Sequence, residues 1–248
     1  MNSLTEDDWG FDADFARTAA PLLDALYTTW WRVRADGLEH VPATGPALVV
    51  ANQAGGQPWD AAMLATALRR HEVRPDDPAR FLVHGRPFEL PFASTALRRL
   101  GGVPAAAGNA ERLLAEGHLV LSFHEGGRGA GPGYARRYRL ERLGHGGFVA
   151  LALRSGAPIV PCAVVAGGPG LADRVMARVA RLPRPPLGLP VLPAPARWRI
   201  AFGEPLQVAH HGPGAAEDRA LVLELGEEVL ARVQEKVYDS LVNREGAL

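Results

Sequence analysis

Short apolar runs alternate with longer amphipathic stretches along this chain. Ala47-Leu48-Val49-Val50-Ala51, Phe81-Leu82-Val83-His84 and Leu119-Val120-Leu121-Ser122-Phe123 are runs of mostly apolar residues bounded by glycine, proline or polar residues. Runs of that length suit strands covered on both faces. Residues 31–38, 157–165 and 197–202 are expected as further strands, the second of them broken at Pro161. Between them the period changes to the helical one. Helices are expected from about Asp12 to Val33, Ala61 to Leu68, Leu90 to Leu100, Ala110 to Glu116, Gly147 to Arg154, Leu171 to Arg181 and Ala215 to Leu241. In the last, Leu221, Leu225, Val229, Val233 and Val237 form one stripe. Asp60 and Asn109 stand where they could cap the helices that follow them. Gly101-Gly102 closes the helix before it, and Pro183 to Pro195 is a proline-rich excursion. This alternation predicts an α/β fold with a mixed, mostly parallel sheet flanked by helices.

Composition narrows the class. The 248 residues are 47% hydrophobic, enough for a sizeable core, and suit one domain over 1–248. Its expected parts are an N-terminal helix at about 12–33, a core at about 34–208 and a C-terminal helix at about 215–241. Net charge is zero, so neither nucleic acid nor an anionic membrane is favoured electrostatically. The single cysteine, Cys162, cannot form an intrachain disulfide and suits a reducing compartment. It lies inside an apolar strand with no adjacent histidine, the setting of a packing residue. No apolar run reaches the ~20 residues of a spanning helix. A cytoplasmic location is expected. The aromatic and apolar residues Leu22, Leu23, Leu26, Tyr27, Trp30 and Trp31 near the end of the first helix suit core packing or, alternatively, peripheral contact with a membrane.

Two stretches carry candidate chemistry. Asn52-Gln53-Ala54-Gly55-Gly56-Gln57-Pro58-Trp59-Asp60 runs from the end of a strand through a glycine turn into a helix. In open α/β sheets ligands bind at such carboxyl ends. The second stretch, Phe123-His124-Glu125-Gly126-Gly127-Arg128, is a strand end followed by a glycine-rich loop. Arg128 has the fork geometry for a phosphate, and Gly126 and its neighbours let backbone amides approach an anion. Read alone, the loop better suits a surface turn with a solvated arginine. It lacks the Gly-Lys-Ser/Thr ending of a P-loop. No metal site is expected, because His210-His211 have no spaced cysteines or carboxylates around them.

Together the two stretches resemble the PlsC-like lysophospholipid and glycerophosphate acyltransferases. The first is similar to the family's histidine–aspartate motif, in the form with a longer gap written Asn-His-Ser-Gly-Gly-x-Pro-Trp-Asp. Gln53 stands in the histidine position, and Asp60 is the aspartate. The second resembles Phe-Pro-Glu-Gly-Thr-Arg, with His124 for proline and Gly127 for threonine. Likeness continues through Phe88 to Phe92, Leu100 to Val103, Tyr138 to Phe148, Pro158 to Val164 and Trp198 to Leu206. The resemblance implies a glycerolipid acyltransferase-like fold. It also implies acyl transfer from acyl-CoA or acyl carrier protein to a lysophospholipid or a related hydroxyl or amine, without a cofactor. Glu125, Gly126 and Arg128 would bind the acceptor, and Asn52 would line the same site.

In that family the histidine removes the acceptor's proton and the aspartate orients it. A glutamine amide donates and accepts hydrogen bonds but takes no proton near neutrality. Loss of a positioned base costs roughly 10²–10⁴-fold in rate. Three readings therefore stay open. The base has moved, with His124 or His84 as candidates; the chain binds such ligands without turnover; or the old pocket runs another reaction with Asp60 as acid or base and Gln53 as donor.

Overall fold

The computed structural model describes residues 6–54, 58–75, 77–85, 88, 91–123, 146–166 and 196–245. The helix expected at Leu171 to Arg181 and the excursion at Pro183 to Pro195 lie outside them. The described chain runs α1 (Ala13–Ala25), β1 (Arg34–Asp36), β2 (Ala47–Ala51), α2 (Trp59–Arg70), β3 (Arg80–Val83), α3 (Pro91–Arg99) and β4 (Gly102–Pro104). It continues with α4 (Ala107–Ala115), β5 (Leu119–Phe123), α5 (Gly146–Ser155), β6 (Ile159–Ala166), β7 (Trp198–Phe202) and α6 (Arg219–Glu245). The seven strands form one sheet in the order β1-β7-β6-β2-β5-β3-β4. All neighbours pair in parallel except β6 with β7. Thus β2, β3, β4, β5 and β6 point one way, and their carboxyl ends share one edge.

Strand β2 is the middle of the seven. All five of its residues and all eight of β6 are buried, as runs without alternation require. Around the sheet, α1 packs on α2 and α3, α4 on α5, and α6 on α5, β6, β7 and β2. Val222, Leu225, Val229, Val233 and Val237 make the buried stripe of α6, and Asp218 accepts from the N–H groups of Ala220 and Leu221 at its start. Helix α1 is capped by Asp12, whose carboxylate accepts from Asp14 and Phe15 N–H, and runs on into a π-helical turn at Leu26–Trp30. Trp31, fully buried, stacks on Trp198 at 4.8 Å and meets Trp59 edge-on at 5.4 Å.

Three boundary expectations need correction. Pro161 does not break its strand; β6 runs through it. A residue's N–H and C=O leave a strand on the same side, and Pro161 O accepts from Gly203 N–H at 2.8 Å, just past the end of β7. Its missing donor therefore faces away from β2 and costs no bond there. Asn109 is not a cap, because α4 begins two residues earlier and Asn109 Nδ2 donates to Pro104 O at 2.9 Å. Asp60 is not a cap either. Helix α2 begins at Trp59, and the Asp60 side chain turns back to the preceding loop. Gly101 and Gly102 do close α3: Gly101 has φ +95°, and a Cβ on Gly102 would lie 2.8 Å from Leu97 O.

Candidate active site

The parallel strands bring the candidate residues to one edge. Ala51, the last residue of β2, pairs with Phe123, the last of β5, and with Cys162 of β6. The chain therefore leaves toward Gln53 and toward His124 from neighbouring positions. His124, Glu125, Gly126 and Arg128 themselves lie outside the described residues. His84 directly follows β3, two strands from β2, and is exposed. Desolvation holds its imidazole below the ordinary histidine range.

Each residue after β2 has a distinct environment. Asn52 is fully buried. Its Nδ2 donates to Val164 O at 2.8 Å, and Val164 N–H donates to its Oδ1 at 2.7 Å. The side chain thus does what the next backbone peptide of β2 would do, closing the β2–β6 ladder. That geometry gives Asn52, expected as a ligand-binding residue, a structural role at the site's floor. Gln53 is 3% exposed, and its Nε2 has no hydrogen-bond partner among the described residues. Ala54 N–H donates to Asp60 Oδ2 at 3.3 Å, and Asp60 is 0% exposed. A buried carboxylate near the start of a helix gains from the dipole of that end. The bond to Ala54 ties it to the peptide just after Gln53.

Between α1, α2 and α3 lies an apolar cavity of about 130 Å³. Phe11 and Leu23 come to it from the N-terminal segment, Pro58 from just before α2, Ala62 and Ala65 from along α2, and Phe81 from β3. Pro58 is two residues from Asp60, so the cavity wall and the buried carboxylate share one helical turn. Sequence reading did not find this cavity. Its only local signal was the pair of small residues Ala62 and Ala65 on one face of α2, which leaves room beneath α1. Arg74 lies at its far side, buried, with NH2 bonded to Gly117 O at 3.0 Å and Asp77 at 2.9 Å. Burial lowers the pKa of Arg74, and Asp77 opposes that shift.

Cys162, one strand over, is fully buried and its thiol is pushed far up by burial, which suits packing rather than nucleophilic chemistry. Among the described residues no three histidine, cysteine or carboxylate side chains gather as a metal site, and no helix is long and apolar enough to cross a membrane. Leu22, Trp30 and Phe92 are exposed at 66%, 37% and 92%, while Tyr27 and Trp31 of the same aromatic segment are buried. The end of α1 therefore divides, part of it core and part of it surface.

Comparison with known proteins places the chain. A family model described as Acyltransferase matches residues 32–165. An uncharacterized protein of Mycobacterium tuberculosis is 40% identical over 252 residues, covering 96% of this chain and 70% of its own length. One from Mycobacterium leprae is 39% identical over 256 residues, covering 97% and 69%. Among solved structures, the 1-acyl-sn-glycerophosphate (LPA) acyltransferase PlsC of Thermotoga maritima has the same fold, with a TM-score of 0.57. It is 18% identical and covers 91% of this chain and 78% of that one.

Proposed function

The chain belongs to the acyltransferase family, and we propose that it moves an acyl group from acyl-CoA or acyl carrier protein to a lysophospholipid or a related hydroxyl or amine. The observation that carries this reading is the apolar cavity walled by Pro58, two residues before the buried Asp60. A hydrocarbon chain entering such a cavity gains about 0.8 kcal/mol per buried CH₂. A short polar acyl group would gain little, so the cavity favours a long-chain donor with its thioester near Asp60. The relation to a lysophosphatidic acid acyltransferase fold supports a phosphate-bearing acceptor. Arg128, with Glu125 and Gly126, would hold that phosphate.

Such substrates reside in or near a bilayer. The exposed Leu22, Trp30 and Phe92 support peripheral contact with the inner face of a membrane, with the chain otherwise in the cytoplasm. The substitution of Gln53 for the family's histidine favours a second reading, a homologue that binds acyl thioester or lipid without turnover. Thiol release from palmitoyl-CoA, measured with lysophosphatidic acid and a panel of other acceptors, separates the two. Release that depends on an acceptor supports transfer. A rise in melting temperature with palmitoyl-CoA but no release supports binding alone.

A further inference from the structure

Gln53 is a buried carboxamide whose amide nitrogen has no partner among the described residues. Its neighbours are both engaged, Asn52 with Val164 and the Ala54 N–H with Asp60. Gln53 Nε2 has no partner among the described residues, although the residue is only 3% exposed. A buried donor left unpaired is penalised, and native proteins rarely keep one without a reason. An unbranched apolar residue such as methionine would occupy similar space without that penalty. The position lies at the carboxyl edge of the central strand, next to the peptide that bonds Asp60. A donor there, unpaired among the described residues, is open to a ligand that supplies an acceptor.

We infer that Gln53 Nε2–H donates to the carbonyl oxygen of the acyl thioester and that the Asp60 carboxylate takes the acceptor's proton. This rests on the acyl-transfer reading and assigns the work of its site. The acceptor oxygen or nitrogen forms a bond to the acyl carbon, and the carbonyl π pair moves onto the oxygen held by Gln53. Asp60 removes the proton from the attacking atom. The carbon–sulfur bond then breaks, the thiolate leaves, and the proton on Asp60 passes to that sulfur. Ester or amide and free thiol are the products, with no redox change and no further reactant. A fixed donor aimed at the developing oxyanion needs no titration of its own.

The test compares full-length wild type with Gln53→Met, Gln53→Glu and Gln53→His. Thermal unfolding is measured without ligand, and thiol release from palmitoyl-CoA with the preferred acceptor is measured over about pH 5 to 9. The Gln53→Met protein melts no lower than wild type, yet its kcat falls roughly 10²–10³-fold, the loss typical of removing one oxyanion donor. KM for palmitoyl-CoA changes little. Gln53→Glu, which presents an acceptor in place of a donor, loses activity to a similar extent. Wild-type rates show no inflection near the histidine pKa of about 6.5, whereas Gln53→His acquires one. Wild-type kcat retained in Gln53→Met, or a melting temperature well below wild type, overturns the role of Gln53 alone. A wild type that releases no thiol with any acceptor overturns the acyl-transfer reading and this assignment with it.

Discussion

Asn52 shows what one side chain can contribute to a strand end. Replacing it with leucine leaves the Val164 N–H and C=O buried without partners, at about 1–3 kcal/mol for each unsatisfied group. The Asn52→Leu protein is therefore expected to lose about 2–4 kcal/mol in urea unfolding. No local pattern announced this role, because the partner is 112 residues away in sequence. Asp60, by contrast, stood out in its spacing from Gln53 and in the turn between them, but the capping role expected of it does not hold. Helix α2 starts two residues earlier than a cap at Asp60 requires, and the carboxylate is drawn to Ala54 instead. That Gln53 Nε2 has no partner among the described residues was also invisible, since sequence names an amide but not its partners. Cys162 is expected to resist neutral thiol reagents in the native protein and to react on unfolding. Burial raises its thiol pKa above the ordinary value of 9.0. The unfolded chain then gives up this proton while the folded one keeps it. Stability is intact below about pH 9 and declines as pH rises beyond it, by up to about 1.4 kcal/mol per pH unit. Alkaline denaturant titrations of wild type and Cys162→Ala differ by that slope.

At the level of elements, the sequence pattern identified the strands and α-helices that the described residues contain except the three-residue β4, and it missed the 3-10 turns Leu38–His40 and Ala209–His211. Their boundaries were less legible wherever a distant contact decided them. Pro161 reads as a strand breaker, but its missing N–H points past the end of β7, which only the tertiary arrangement reveals. The residues before the first helix carried no structural expectation and are pinned to the sheet's opposite edge. Asp7 pairs with the buried Arg80, Trp9 Nε1–H donates to Glu116 at 2.6 Å, and Arg80 lies over Phe11 at 4.7 Å. Arg69 and Arg70 of α2 both reach Asp24 of α1. Burial lowers the Arg80 pKa, and Asp7 offsets part of that. Asp7→Ala removes the partner of a buried cation. Because Asp7 is itself a third exposed, the expected loss is about 2–3 kcal/mol, below the range for a fully buried pair. Trp31→Ala would empty the space between Trp59 and Trp198, with an expected loss of about 3–5 kcal/mol. Both are read from denaturant midpoints, and values near zero would show that the segment is not integral to the fold.

Across the whole molecule, a sheet with five strands pointing one way gathers the Gln53 turn and the strand leading to His124 at one edge. An apolar cavity reaches Pro58, at the end of the Gln53 turn. The α/β class and the family were legible because several short motifs keep their order and spacing, whereas the cavity depends on helices α1 and α2 meeting through residues far apart in sequence. With zero net charge, any attachment to a membrane would rest on apolar contact. The double variant Leu22→Ser with Phe92→Ser should float less with lipid vesicles, with little change in melting temperature, and raised salt should not reproduce the effect. The most direct test of the account is the acceptor-dependent formation of acylated product from palmitoyl-CoA, followed by mass spectrometry in wild type and Asp60→Asn. The account predicts product from wild type and a loss of roughly 10²–10⁴-fold in the variant, the range for removal of a positioned base. Equal product from the two proteins, or none from wild type with any acceptor, would contradict it.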